Sequence, residues 1–199
     1  MTRKKSAAAS VSEWTTNDLI RNAMHIQTHV MSGWCLGNCL EFTPRERLFC
    51  MLAATLPDLD GLGILAGQEV YWDYHHVLGH NLLAALVLSG LLTIFSTHRW
   101  KAFCVYLALF HLHLVLDYFG SGPGWPIVYL WPFSRWEIVN WHAWPFYSWQ
   151  NITTGFAFLL WLLWIAVREG RTPLEVIMPK LDVQLVELIR RIARCSSTS

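Results

Sequence analysis

The stretch FHLHLVLDYFG, residues 110–120, places two imidazoles and a carboxylate in a run that is otherwise apolar from Ala102 to Phe119. Ionisable groups are costly to bury in hydrocarbon unless something binds them. His113 and Asp117 are four residues apart, so on a helix they sit about 40° from each other on one face. His111 points nearly opposite and is expected to pack or hydrogen-bond elsewhere. An imidazole and a carboxylate at this spacing make a two-donor platform for a divalent cation, and they suit Zn²⁺, Mn²⁺ or Fe²⁺ better than Ca²⁺. A proton relay would use the same pair.

Other donors recur at element ends. His29 lies near the start of an expected short helix running from His25 to about Leu40. Asp58 and Asp60, in LPDLDG, follow a helix that Thr43 caps, with Pro44 at its first position, and that stops at Pro57. His75, His76 and His80 come just before an apolar run, Asn81–Ser96, and His113 and Asp117 fall late in the next one. If successive helices alternate in direction, as short connections encourage, all of these groups meet at one end of a bundle. Up to seven ligands (His29, Asp58, Asp60, His75, His80, His113 and Asp117) exceed one tetrahedral ion, so one or two ions are expected, with His76 as a supporting neighbour. His25 is left outside this set. His98 falls at the opposite end, in THRWK, and His142 falls on the site's side in a Trp-rich loop, where it either anchors the loop or contacts substrate.

Composition sets the surroundings. Of 199 residues, 54% are hydrophobic and only 15% are charged, well below the roughly 25% usual in soluble domains, and mean hydropathy is +0.32. Twelve tryptophans suit a membrane interface. The net charge of +1 and the lack of a basic stripe point away from nucleic acid. Five cysteines without a CxxC pair read as reduced, buried thiols. The expected fold is all-α: a transmembrane bundle of about five membrane-embedded helices plus a C-terminal amphipathic helix. Residues 1–24 read as a polar arm, 25–172 as the bundle, and 173–199 as the amphipathic helix and tail. In that last segment Leu181, Leu185, Leu188 and Ile192 recur at helical spacing, on the membrane surface or against the bundle. Residues 120–149 read as a long loop with four prolines and six tryptophans.

The ordered set THVMSGWCLG, LPDLDG, HHVLGHNLLAAL, HLVLDYFGSGPGWPIVYLWPFS and GRTPLEVIMPKLD resembles bacterial inner-membrane metal-dependent hydrolases, the family named for its LexA-regulated member. The resemblance covers about residues 25–185. Thr28, His29 and Gly33 match its first motif, Asp58 and Asp60 its Asp-x-Asp, His113 and Asp117 its His-x-x-x-Asp, and Pro132, Phe133 and Ser134 its Pro-Phe-Ser. Its His-Arg-Gly-x-Thr-His-Ser motif appears here as His75-His76-Val77-Leu78-Gly79-His80-Asn81, which keeps the two outer histidines and replaces the Arg, Gly, Thr and Ser. The family alignment therefore prefers His75 as ligand. A helix running through the stretch would instead pair His76 with His80.

The resemblance implies a metal-dependent hydrolase in the inner membrane, with zinc as the first-choice ion. Asp60 would ligate or take the proton of a metal-bound water. The substrate would be a lipid or lipid-linked ester, including phosphoesters, with Arg135 as the loop cation for a phosphate. Two other readings use the same residues: a structural protein stapled by its metal, and a metal or proton carrier. No Lys or Arg occurs between Leu48 and His98, whereas the opposite ends carry Arg45, Arg47, Arg99, Lys101, Arg168 and Arg171. The positive-inside rule thus places the site on the non-cytoplasmic side. The basic N-terminal arm pulls the other way unless the first helix is re-entrant.

Overall fold

The computed structural model describes residues 25–196, so the arm 1–24 lies outside the described residues. The described residues form seven α-helices: α1 (Ile26–Gly37), α2 (Pro44–Ala53), α3 (Gln68–Tyr74), α4 (Leu82–Thr93), α5 (Arg99–Gly120), α6 (Trp149–Glu169) and α7 (Pro179–Ser196). A 3₁₀ segment, Leu56–Ala66, follows α2. Between α5 and α6 the expected loop contains one two-residue antiparallel ladder, β1 (Pro126–Ile127) with β2 (Ile138–Val139).

Local chemistry sets the helix starts. Thr43 and Glu46 form a reciprocal capping box at α2, and Pro44 occupies its first position. Asn81 caps α4 by accepting from the Ala84 amide at 2.8 Å, and Ser148 caps α6. Gly170, at φ 69°, ends α6 in the left-handed conformation that glycine adopts most readily.

The spans are fewer than the apolar runs suggest. α5 and α6 are long and apolar enough to cross a bilayer, and α2 with the 3₁₀ segment, bent by 54°, would make a third. The expectation of about five embedded helices is therefore corrected. α1 and α4 have 12 residues each, about 18 Å of rise against a hydrocarbon core of about 30 Å. The run that begins at Asn81 stops being helical at Thr93 because the chain is turned there. The Ser96 hydroxyl bonds Tyr106 on α5, and the Thr97 amide donates to the Glu46 carboxylate at 2.8 Å.

α1 and α2 touch almost backbone to backbone. A Cβ on Gly33 would stand 2.5 Å from the Cys50 carbonyl oxygen, so only glycine fits. α1 also packs on α6, and α5 packs on α2 and α4. This arrangement brings the start of α1, the end of α2, the start of α4 and the end of α5 together.

At the other end, Arg47 forms a two-pronged ion pair with Glu175 at 2.6 and 2.9 Å and donates to the Phe42 carbonyl. Asp182 accepts from the Thr172 amide, which ties α7 to the segment after α6. α7 docks through Asp182 and Val186, while Leu181, Leu188 and Ile192 stay exposed. Cys35 and Cys50 are buried as expected, but Cys39, Cys104 and Cys195 are exposed.

Candidate metal centre

Eight of the residues singled out by sequence converge at one end of the bundle. Asp117 is the hub. Its Oδ2 lies 2.9 Å from His113 Nε2, 3.1 Å from His80 Nε2 and 3.8 Å from His76 Nε2, and its Oδ1 lies 3.2 Å from His29 Nε2. Asp58 closes the group, 3.5 Å from His113 Nε2 and 3.8 Å from His80 Nε2. His29, His80 and His113 are fully buried, and the Asp58 side chain, 22% exposed, is the one member open to the outside.

The outer hydrogen bonds fix how the imidazoles present themselves. The Ala54 carbonyl can only accept, so His113 Nδ1, 2.8 Å away, carries the proton. Asp60 accepts from His75 Nδ1 at 2.7 Å and His80 Nδ1 at 3.0 Å, and from the Gly79 amide at 2.8 Å. In the neutral rings, the Nε2 atoms of His80 and His113 are then both lone pairs, and they face each other at 3.1 Å beside an acceptor-only carboxylate. Acceptors this close repel one another unless a proton or a cation sits between them.

A cation fits the spacing. Two bonds of about 2.0–2.1 Å at a tetrahedral angle end about 3.3–3.4 Å apart. Five of the six donor pairs among Asp58, His80, His113 and Asp117 are 2.9 to 3.8 Å apart, bracketing that value, and all four donors lie within 4.8 Å of one another. His75, His76 and His80 form a second close group, with His80 common to both.

The electrostatics of the loop histidines differ. Burial opposes a charged His80, but hydrogen bonds to Asp117 and Asp60 outweigh it and raise its pKa to about 10. Burial and the neighbouring His80 and His75 hold His76 well below the usual histidine value. Without a cation, therefore, a proton on His80 relieves the crowding. A cation would displace that proton.

The sequence alternatives for this loop resolve in an unexpected way. No helix runs through it: α3 ends at Tyr74, and His76 adopts φ 66°, a left-handed conformation rare outside glycine. That reversal lets His75 and His76 both turn toward the cluster. Non-glycine residues held this way concentrate at functional sites. Asp60 is not placed as a free base, because its two oxygens already accept three donors.

Arg135 and His142 are exposed on the 120–149 loop. The backbone amide of His142 donates to Asn140 Oδ1 at 2.9 Å. His111 bonds the Leu107 carbonyl and Tyr129, on the face away from His113.

Sequence reasoning missed the Ala54 carbonyl and the Gly79 amide, which carry no side-chain signal. It also missed Tyr71 and Trp125. Tyr71 stacks on His75 at 4.6 Å between ring centroids, and Trp125 lies edge-on to His75 and His76. A Tyr four residues before His75 was the one available hint.

Two apolar helices of spanning length and a buried His/Asp cluster that could hold a metal ion define a helical membrane protein of a class with a polar centre near one end of its spans. The chain belongs to the YdjM inner membrane protein family, whose model matches residues 24–179. Comparison with curated proteins and with solved structures finds no match.

Proposed function

We propose that the chain is an integral-membrane metal-dependent hydrolase that acts at the membrane surface on a lipid or lipid-linked ester, including phosphoesters. The observation that carries this reading is the set of Nε2 lone pairs and carboxylate oxygens held at metal-ligand spacing by outer hydrogen bonds. Asp58, His80, His113 and Asp117 would hold the ion, and His29, His75 and His76 stand ready around it. Zinc matches this N/O donor set best, with manganese or iron as alternatives, and the second histidine group leaves room for two ions. A divalent cation there supplies Lewis acidity and lowers the pKa of a bound water.

The protein's own residues do the rest. Asp60 and Ala54 fix the imidazole tautomers, burial excludes bulk water, and the partly exposed Asp58 marks the entrance. The absence of Lys and Arg from residues 49–98 supports placing this end on the non-cytoplasmic side, with several passes through the inner membrane.

One observation favours a second reading, a structural staple. Asp58, His80, His113 and Asp117 by themselves supply four donors, as many as a tetrahedral ion takes, and closed sets are typical of structural metals. A carrier would spread its donors through membrane depth, which the gathering at one end argues against.

The test is release of product from a lipid phosphomonoester and a lipid carboxylic ester by the purified protein in nanodiscs. The comparison is between metal-loaded and chelated protein, and between wild type and Asp58→Asn. Metal-dependent turnover lost in the variant supports the hydrolase. Bound metal with no turnover of either lipid supports the staple.

A further inference from the structure

Beside the cluster lies a cavity of about 450 Å³ between the 3₁₀ segment, the first two turns of α4 and Trp131. Its wall includes Leu59, Leu78, Leu83, Val87 and Trp131, together with Asp60 and Gly79, which tie it to the cluster through His75 and His80. We infer that this groove holds one acyl chain of a membrane glycerophospholipid, with the lipid's ester and headgroup region directed at the cluster.

Three observations carry the assignment. The first is chemical. Besides the Trp131 indole N–H, the polar side chains in the wall are Asp60 and Asn81, and both are already satisfied. Asp60 accepts from His75, His80 and Gly79, and Asn81 bonds Ala84, Val77 and Leu78. The wall therefore offers a polar ligand little, and an apolar one a surface of leucine, valine and alanine side chains.

The second is depth. Asp117 is three residues, about 5 Å, from the end of α5 at Gly120, and His113 is about 10 Å below that end. With 22 residues, about 33 Å, spanning a hydrocarbon core of about 30 Å, Asp117 falls just inside the ester level and His113 among the upper acyl carbons; the groove's wall at Leu78 and Asn81 flanks His80, which touches Asp117.

The third is access. Leu59, Leu78, Leu83 and Val87 are 39–53% exposed, and two of them stand on α4, which packs against the spanning helix α5. At that depth the neighbouring solvent is lipid tails, so the groove is continuous with the bilayer. The headgroup's placement rests on the hydrolase reading; the chain's placement does not.

The test uses the full-length protein in vesicles of phosphatidylcholine containing a glycerophospholipid with a diazirine in its acyl chain. After irradiation, labelled positions are mapped by mass spectrometry. The expected result is label concentrated on Leu78–Leu88. Val87→Trp, which fills the groove at an exposed position, should remove that label while leaving the label on α6 unchanged. Leu160→Trp, on the exposed face of α6, should leave the α4 label intact. Label spread evenly over the lipid-facing residues of α5 and α6, or α4 label that survives Val87→Trp, would overturn the inference. Metal content measured on the same samples separates this outcome from a failure of the hydrolase reading: localised label on metal-free protein leaves the groove standing and removes the hydrolase.

Discussion

Asp60→Asn is the most informative single change, because it alters three hydrogen bonds without altering shape. Asp60 accepts from His75 Nδ1 at 2.7 Å through Oδ1, and from His80 Nδ1 and the Gly79 amide at 3.0 and 2.8 Å through Oδ2. An asparagine keeps one acceptor and gains an NH₂ donor. The Gly79 amide cannot change its role, so the Asn oxygen should face Gly79 and His80, and the NH₂ should face His75. His75 must then accept at Nδ1 and carry its proton on Nε2, where it no longer offers a lone pair to the cluster. His80 keeps its tautomer but loses the carboxylate that makes it a strong donor.

Losing such an outer partner lowers metal affinity by about 10- to 100-fold. That corresponds to about 1.4–2.8 kcal/mol. Asp60→Ala is less useful, since each buried donor left unpaired costs about 1–3 kcal/mol and the fold itself would suffer. The assay is zinc titration against a competing chelator in detergent, with ¹⁵N-histidine spectra reporting the tautomers. Unchanged affinity would refute the orienting role. Loss of metal as complete as in Asp117→Asn would instead make Asp60 a direct ligand.

Gly79→Ala should be damaging, because the new Cβ would stand 2.0 Å from the Pro57 oxygen and 3.1 Å from Asp60 Oδ2. A destabilisation of about 1–3 kcal/mol, read by thermal unfolding in detergent, should come with weakened zinc binding. Arg47→Met removes one partner of a buried ion pair and should cost about 3–5 kcal/mol in the same measurement, with Glu175→Gln showing the same direction. Thr43→Ala breaks the α2 capping box and should cost about 1 kcal/mol while leaving zinc affinity at the wild-type value.

The gathering of the donors was legible because each sits at a helix end and those ends alternate in the chain. His113 and Asp117 were legible for a simpler reason: ionisable groups in an apolar helix need partners. Their division of labour was not legible. An Asp-x-Asp motif does not say which carboxylate faces the other donors, and here Asp58 does so while Asp60 braces His75 and His80 from behind. The choice between His75 and His76 depended on a helix that never forms, since the left-handed His76 reverses the chain. The number of spans was over-read because hydropathy sees the run from Asn81 to Ser96 but not the contacts of Ser96 and Thr97 that end its helix. The leucine stripe of α7 was visible in the sequence, yet the docked face is the one bearing Asp182 and Val186, because Thr172 fixes the helix through Asp182.

The most direct test is elemental analysis of detergent-purified protein, wild type beside Asp117→Asn. Four imidazoles stand within 3.8 Å of the Asp117 carboxylate, so the wild type should carry at least one equivalent of a divalent transition metal and the variant almost none. Equally negligible metal in both proteins, after purification with zinc and manganese present, would contradict the account.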